Sequence, residues 1–287
     1  MHVTVNGARL YFDVEGVGLA AEDGRMMSRP TIILLHGGPG VDHAIHKPAF
    51  GALSEIAQLV YLDHRGNGRS AQSSPEHWTL AQWGDDVRGL CDALGIEKPI
   101  VIGTSFGGFV AQAYATRHAD HVGGLVLVST AAQMDFAEVF AAFERVGGPA
   151  ARSAAEGYWL NPTSESRAHY RDVCVPLYSV TDAPEDWFSR VIIKDDVALH
   201  FNGPKNEHGR MDFREDLKRL TCPVLVMGGD SDPITPMIFS ETIASHLPSG
   251  IGRLERFENA GHGLVADAPD RFFQVVRSFV EEIGGPE

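Results

Sequence analysis

Short, almost entirely apolar runs alternate along this chain with longer segments of helical periodicity. Apolar runs of this length are typical of strands that are buried on both faces, as in parallel sheets covered by helices. The runs are Thr31–Leu35, Leu59–Leu62, Ile100–Ile102, Leu125–Val128 and Val224–Met227, and the helical segments are Trp78–Leu94, Phe106–His118, Pro236–His246 and Arg271–Ile283. The alternation therefore predicts an α/β fold built on a mostly parallel sheet.

The first thirty residues follow a different pattern. Val3–Val5 and Leu10–Val14 are strand-like, and the turn between them begins at Asn6-Gly7, a dipeptide favoured in tight hairpins. We therefore expect a hairpin at the edge of the sheet. Residues 15–30 contain several glycines and have no periodicity, so we predict a long loop there.

The alternation of strands and helices is interrupted once, in the second half of the chain. Residues 132–220 contain helical patterns and no convincing strand. We assign this segment to an inserted helical cap, and residues 1–131 and 221–287 to the core that forms the sheet. Gly147-Gly148-Pro149 and Gly203-Pro204 are candidate hinges or simple loops of the cap.

The cap is rich in aromatic residues. Four apolar residues follow the i, i+3, i+4, i+7 spacing of one helix face, and two tryptophans lie further along: Phe136, Val139, Phe140 and Phe143, then Trp159 and Trp187. Two interpretations remain open, because an inserted helical layer needs a small core of its own and can also form the apolar roof of a cleft.

The net charge excludes some classes of partner. The 287 residues include 24 Lys and Arg against 38 Asp and Glu, which gives a formal net charge of −14. Nucleic acids and anionic membranes are bound through basic surfaces, so neither is an expected partner. We expect a small-molecule substrate and a monomer or homodimer.

The cysteines and the N-terminal sequence bear on location. The three cysteines, Cys91, Cys174 and Cys222, are widely spaced, and such an odd, sparse set is typical of a reducing compartment. Met1–Gly7 has neither the basic start nor the apolar core of a secretory signal. No run of about 18 apolar residues is present to cross a bilayer. We therefore expect a soluble, cytoplasmic protein.

The segment Gly103-Thr104-Ser105-Phe106-Gly107 fits the pattern G-x-S-x-G. It follows a predicted strand and begins a predicted helix, which is the strand–turn–helix setting that this motif requires. Side chains at positions 103 and 107 would collide with neighbouring backbone in so sharp a turn. The motif predicts that Ser105 is an exposed nucleophile at a helix N-terminus, where the helix dipole favours developing negative charge.

A second glycine-rich turn, His36-Gly37-Gly38-Pro39-Gly40, follows the predicted strand Thr31–Leu35. A backbone N–H in such a turn can join one that follows the nucleophile to form an oxyanion hole. Our candidates are the amides of Gly38 and Phe106. We interpret His36 as a structural hydrogen-bonding residue.

A serine nucleophile needs a base, and the base needs a carboxylate that fixes its tautomer. The run Val224–Met227 leads to Asp230-Ser231-Asp232, which places carboxylates at the carboxyl end of a strand, where open α/β sheets carry their sites. His262 lies between glycines after the strand-like segment Arg253–Phe257. The expected order of serine, acid and histidine assigns Asp232 as the acid and His262 as the base, with Asp230 as the rival acid.

These motifs resemble the α/β-hydrolase superfamily over essentially the whole chain. His36–Gly40, Gly103–Gly108 and the segment 63–70, which reads Asp-His-Arg-Gly-Asn-Gly-Arg-Ser, are together similar to its proline iminopeptidase-like branch. The resemblance implies an eight-stranded, mostly parallel sheet flanked by helices, with a helical cap inserted. In that branch the segment corresponding to 63–70 is a structural turn beside the site, which implies scaffold roles for Asp63 and Arg65.

The chain departs from the iminopeptidases of this branch at the positions that recognise the substrate's amine. Phe106 stands where those enzymes have Trp, and residues 132–220 contain no Trp-Glu dipeptide. A cationic amine needs a desolvated carboxylate partner, and Glu156 is only a loose candidate. These departures disfavour an N-terminal peptide bond as the substrate.

The sequence therefore predicts a serine hydrolase for a neutral carboxylic ester or lactone with an apolar acyl part, such as an acyl-homoserine lactone. Its substrate-binding candidates in the cap are Phe136, Phe140, Trp159 and Trp187. The alternative is a proline iminopeptidase. A ligand receptor, a peroxidase and a C–C bond hydrolase on the same fold also remain open. We expect no cofactor and no metal, because His43 and His46 form an isolated His-x-x-His without a ligand cluster.

Overall fold

The computed structural model of the protein describes residues 1–22, 24–181 and 188–284. Within these ranges the strands are β1 (His2–Val5), β2 (Ala8–Glu15), β3 (Leu19–Glu22), β4 (Arg25–Ser28), β5 (Thr31–Leu35), β6 (Gln58–Leu62), β7 (Ile100–Thr104), β8 (Gly124–Val128), β9 (Val224–Gly229) and β10 (Gly252–Phe257). The α-helices are α1 (Leu80–Leu94), α2 (Phe106–Arg117), α3 (Phe136–Leu160), α4 (Ser164–Cys174), α5 (Asp195–Phe201), α6 (Glu207–Arg210), α7 (Arg214–Leu217), α8 (Met237–His246), α9 (Leu264–Asp267) and α10 (Pro269–Gly284).

Eight of these strands form one sheet in the order β1-β2-β6-β5-β7-β8-β9-β10. β1 and β2 pair antiparallel with their neighbours, and all the pairings from β6 to β10 are parallel. The register places Leu35 opposite Gly103, and Gly229 opposite Phe257. The loops after β5, β7, β9 and β10 therefore leave the sheet at the same edge.

Both faces of the sheet are buried, as the apolar runs predict. In β5, Ile33 and Leu35 belong to one hydrophobic cluster, whereas Ile32 and Leu34 belong to another on the opposite face. This alternation follows from the two-residue period of a strand. α1 and α2 cover the first face, and α10 covers the second.

The helices that cover the sheet carry the expected local signals. Thr79 caps α1, because its side chain accepts a hydrogen bond from Gln82 N, and Gly95 ends the helix in the left-handed conformation. On α10, the buried residues Phe272, Val276, Phe279 and Val280 share one face.

The segment between β8 and β9 is helical where it is described. It contains α3 to α7. Within the described ranges, its β-type pairing consists of one isolated bridge between Gln133 and Asp212. α3 is broken at Gly148, which has φ 74° and ψ −171° and precedes Pro149. The candidate hinge at 147–149 thus coincides with a kink in α3.

The predicted fold is confirmed: the chain has an eight-stranded, mostly parallel sheet flanked by helices. The N-terminal hairpin also forms, with Val5 opposite Ala8. The expected loop at residues 15–30 is wrong in part, because β3 and β4 form a separate two-stranded hairpin there. Most side chains of this hairpin are exposed, so its sequence lacks the apolar alternation that predicts a half-buried strand. None of the described helices has both the length and the apolar character needed to cross a membrane.

Candidate active site

Ser105 lies at the turn between β7 and α2 with an unusual backbone conformation. Its φ is 55° and its ψ is −119°, outside the regions that ordinary L-residues adopt. A side chain at position 103 would meet the backbone of Gly107, and one at position 107 would meet the carbonyl oxygen of Leu35. The two flanking glycines therefore permit the sharp turn that presents Ser105, as the sequence motif predicts.

Asp232 and His262 meet at the carboxyl ends of β9 and β10. The Asp232 carboxylate is fully buried, and its Oδ2 lies 2.8 Å from His262 Nδ1. It also accepts hydrogen bonds from Ile234 N at 2.8 Å, Thr235 N at 2.9 Å and Thr235 Oγ1 at 2.7 Å. Burial alone would raise the pKa of Asp232, but the attraction of His262 and these hydrogen bonds lower it below its ordinary value.

The rival carboxylate, Asp230, has a different environment. It is exposed, and its Oδ1 accepts hydrogen bonds from Asn259 N at 3.0 Å and Ser231 Oγ at 3.2 Å. These contacts fix the turn between β9 and the loop after β10. Asp232, rather than Asp230, therefore has the geometry of the acid that orients His262.

The loop that carries His262 requires its glycines. A side chain at position 261 would meet the carbonyl oxygen of Tyr178, and one at position 263 would meet the Ser179 side chain. The Tyr178 ring packs edge-on against the imidazole, with ring centres 5.4 Å apart. Residues of the predicted cap thus hold one side of the histidine.

Ser105 and His262 line one cavity of about 360 Å³. The contacts of the described residues do not include a hydrogen bond between the Ser105 hydroxyl and His262. Catalytic hydrogen bonds are often long in ligand-free structures and shorten in the substrate complex. The structure thus brings the three predicted residues to one site with the acid–histidine contact formed.

The two predicted oxyanion-hole donors come from the turn after β5 and from the first residue of α2. Gly38 lines the cavity and has φ 117°, a conformation available to glycine. Phe106 N is the first amide of α2, directly after Ser105. The Phe106 side chain is fully buried against Trp83 and Phe201, so the candidate donor at this position is the backbone amide and not the side chain.

The segment 63–70 secures the loop that follows β5. Asn67 Oδ1 accepts a hydrogen bond from Gly40 N at 2.7 Å. Asp63, which is fully buried, accepts hydrogen bonds from His43 N at 3.0 Å and Arg69 N at 2.8 Å, and its Oδ1 lies 2.6 Å from His43 Nδ1. Arg65 forms two bonds of 2.7 Å with Asp86. These contacts agree with scaffold roles for Asp63 and Arg65.

Several buried histidines surround the same loop. His36 Nε2 accepts a hydrogen bond from His64 N at 3.2 Å, which agrees with a structural role for His36. Burial lowers the pKa values of His36 and His64, and it lowers that of His46 to about 3. His46 lines the cavity as a neutral imidazole, and its two nitrogens have no hydrogen-bond partner among the described residues. The described residues contain no group of three or more His, Cys, Asp or Glu placed to bind a metal.

The four aromatic residues predicted to bind substrate are placed differently from one another. Trp159 lines the cavity. Phe136 and Phe140 are not among the described residues that line it. The Phe136 ring packs against Trp159 and His208, with ring centres 6.0 and 5.4 Å apart. Phe140 packs against Phe136. They pack within the helical segment between β8 and β9. Trp187 lies outside the described residues.

The sequence prediction missed the polar residues that the helical segment between β8 and β9 contributes to the cavity. They include Tyr158, Arg167, Arg171, Asn202 and His208. No motif marks them, although Tyr158 adjoins Trp159 in sequence. Glu156, the loose candidate for binding an amine, lies elsewhere: it pairs with Arg152 at 2.8 Å and is not among the described residues lining the cavity.

Comparison with known proteins identifies the family. The family model described as "alpha/beta hydrolase fold" matches residues 30–269. The chain belongs to the α/β-hydrolase family. The family match and the relatives below support hydrolase activity.

Two relatives align over almost the whole chain. The "Putative carbamate hydrolase RutD" of Caulobacter sp. is 31% identical over 96% of this chain and 97% of its own. The proline iminopeptidase PfmaB of Pestalotiopsis fici is 30% identical over 98% of this chain and 99% of its own. The proline iminopeptidase structure from Mycobacterium smegmatis covers 99% of this chain and 98% of its own with a TM-score of 0.79, and at 21% identity it supports the fold alone.

Proposed function

We propose that the protein is a serine hydrolase that cleaves a carboxylic ester or lactone through an acyl-enzyme. The observation that carries the proposal is the arrangement around the cavity: Ser105 on its strained turn, and His262 held by a buried Asp232. This arrangement supports the roles of nucleophile, base and acid that the proposal assigns to Ser105, His262 and Asp232.

In the proposed mechanism, His262 takes the proton of the Ser105 hydroxyl as the oxygen attacks the substrate carbonyl. The amides of Gly38 and Phe106 stabilise the oxyanion, and each such donor contributes about 3 kcal/mol in comparable hydrolases. His262, oriented by Asp232, then protonates the leaving group. A water molecule activated by the same histidine releases the acid and restores Ser105.

The choice of an ester or lactone rests on the charge of the cavity. The described lining residues include arginines from the cap and no aspartate or glutamate. The free amine of a peptide substrate would therefore lack a buried carboxylate partner there. A 3-oxoadipate enol-lactonase of Acinetobacter baylyi, 27% identical over 88% of this chain and 89% of its own, is a lactone-cleaving relative.

Proline iminopeptidase activity is the second candidate. It is supported by the 30% identity to the enzyme of P. fici over nearly full length. It requires a carboxylate that reaches the substrate's amine, which the described lining residues do not supply.

The test compares two substrate sets with three proteins. One set contains esters and lactones of increasing acyl length, and the other contains aminoacyl amides with a free N-terminus, prolyl amides included. Ser105→Ala should lose turnover and labelling by a fluorophosphonate, while Ser231→Ala, the same change at a half-buried position in the loop after β9, should retain both. Wild-type hydrolysis by Ser105→Ala would refute the mechanism, and turnover of prolyl amides alone would favour the second candidate.

A further inference from the structure

The cap side of the cavity contains a polar cluster that the proposed reaction does not use. Tyr158 is only 2% exposed and Asn202 only 7%, yet both line the same cavity as Ser105 and His262. Arg167 lines it as well, with a side chain that is 12% exposed. We call Tyr158, Arg167 and Asn202 the cap cluster.

The hydrogen bonds of the cap cluster converge on one oxygen. Arg167 Nη1 donates to the Tyr158 hydroxyl at 2.8 Å, and Asn202 Nδ2 donates to the same oxygen at 2.7 Å. With its oxygen accepting twice, Tyr158 retains its own proton for donation, and no described residue accepts that proton. Hydrogen-bonded groups polarise one another, so two donors on the oxygen make this proton a stronger donor.

The positive charge of Arg167 is only partly compensated. Asp195 accepts from Arg167 Nε at 2.7 Å and lies 3.6 Å from Arg171. The Asp195 side chain is 38% exposed and is not among the described residues that line the cavity. Asp195 thus binds one edge of the guanidinium from the solvent side, and the other edge contacts Tyr158.

A third observation concerns His208, which lines the same side of the cavity. Its ring is buried, and its Nδ1 has no hydrogen-bond partner among the described residues. A buried polar atom without a partner carries a free-energy cost unless a ligand or water satisfies it. This side of the cavity therefore offers hydrogen-bond donors and positive charge, and the described residues that line the cavity include no aspartate or glutamate to pair with them.

We propose that the cap cluster binds a carboxylate carried by the substrate on the side remote from the bond that is cleaved. The substrate class is then an ester or lactone with a free carboxylate, rather than the neutral ester predicted from the sequence. A buried anion needs both a cation and hydrogen bonds, and Arg167 with the Tyr158 hydroxyl supplies both. This inference rests on the proposed hydrolase function.

The test uses matched pairs of esters that differ in one charge. Monomethyl glutarate carries a free carboxylate and dimethyl glutarate does not, and longer dicarboxylates extend the series until the span is matched. The wild type should prefer the anionic member by about tenfold or more in kcat/KM, and Tyr158→Phe, which keeps the ring, should remove most of that preference. The change should lie mainly in KM, since the carboxylate contact is equal in the ground and transition states.

Arg152→Gln is the matched control, because Arg152 is a surface arginine of α3 that pairs with Glu144 and Glu156. It should keep the wild-type preference. Equal or better hydrolysis of the neutral diesters by the wild type, or a preference unchanged in Tyr158→Phe, would overturn the inference while leaving the hydrolase function intact.

Binding without turnover separates the two proposals. Calorimetry on Ser105→Ala should detect glutarate or a longer dicarboxylate, and adding Tyr158→Phe should weaken that binding by about tenfold. If no ester is hydrolysed, the proposed function fails, and this titration still decides the inference: lost affinity in the double variant supports it. Absent or unchanged carboxylate binding overturns it.

Discussion

Replacing Asp232 with asparagine tests how the structure prepares His262 for catalysis. Asp232 Oδ1 accepts from the backbone amides of Ile234 and Thr235, and its Oδ2 contacts Thr235 Oγ1 and His262 Nδ1. In Asp232→Asn, the amide oxygen should keep the two backbone bonds. The amide NH₂ then takes the place of Oδ2 and donates a hydrogen bond to His262 Nδ1.

This reversal of one hydrogen bond has a defined chemical effect. His262 Nδ1 must become the acceptor, so the ring proton moves to Nε2, the nitrogen that should receive the Ser105 proton. The same exchange in another serine hydrolase costs about 10⁴-fold in kcat, and we expect about 10³- to 10⁴-fold here. The donor bonds that Asp232 received as an anion weaken, so the free energy of unfolding should fall by about 1–3 kcal/mol.

The assay is single-substrate hydrolysis at pH 7, with urea unfolding to verify that the variant folds. Asp230→Asn is the control, because Asp230 is exposed and bonds only to loop groups; it should stay within about threefold of wild type. Retention of a tenth of the activity by folded Asp232→Asn, or an equal loss in Asp230→Asn, would refute this account of the site.

Two further predictions concern stability. Gly107→Ala should lower the free energy of unfolding by about 3 kcal/mol or more, because the added side chain would meet the Leu35 carbonyl. Gly157→Ala is the control and should not lower it, because the added carbon meets nothing within 4 Å. Thermal unfolding of the two variants measures the difference. Burial lowers the pKa values of His46 and His208 to about 3, whereas the unfolded chain takes up protons below the ordinary value of 6.5. Stability should therefore fall with acidity, by about 1.5 kcal/mol for each histidine between pH 6.5 and 5. Urea unfolding at both pH values measures this, and a His208→Gln variant with the wild-type slope would contradict it.

The sheet and the positions of Ser105, Asp232 and His262 could be predicted because the sequence patterns that indicate them are local. The run at β7 followed by Gly103 and Gly107 specifies a strand, a turn and a helix within a few residues. The same reasoning predicts that Asp232 and His262 lie close together. Each follows the carboxyl end of a strand, and the two strands, β9 and β10, pair in parallel. Parallel order then brings distant residues together without any detailed knowledge of packing.

The roof of the cavity could not be predicted in this way. Helical spacing places Phe136 and Phe140 on one face of α3, but it does not say whether that face meets the cavity or other cap residues; here it meets Trp159 and His208. The kink of α3 at Gly148 also means that helical spacing does not extend from the first half of the helix to the second. Tyr158 and Arg167 lie on different helices, so only tertiary packing joins them.

The described helices α3 to α7 all lie between two neighbouring strands, β8 and β9, which pair directly with Val128 opposite Met227. The sheet is therefore continuous across β8 and β9, although a long helical segment separates these strands in the sequence. We therefore expect substitutions in this helical segment to leave the register of β8 with β9 unchanged. If Ser105 is the nucleophile, as we propose, a chimaera that carries residues 132–220 of a relative should have the relative's substrate preference and still lose activity in Ser105→Ala.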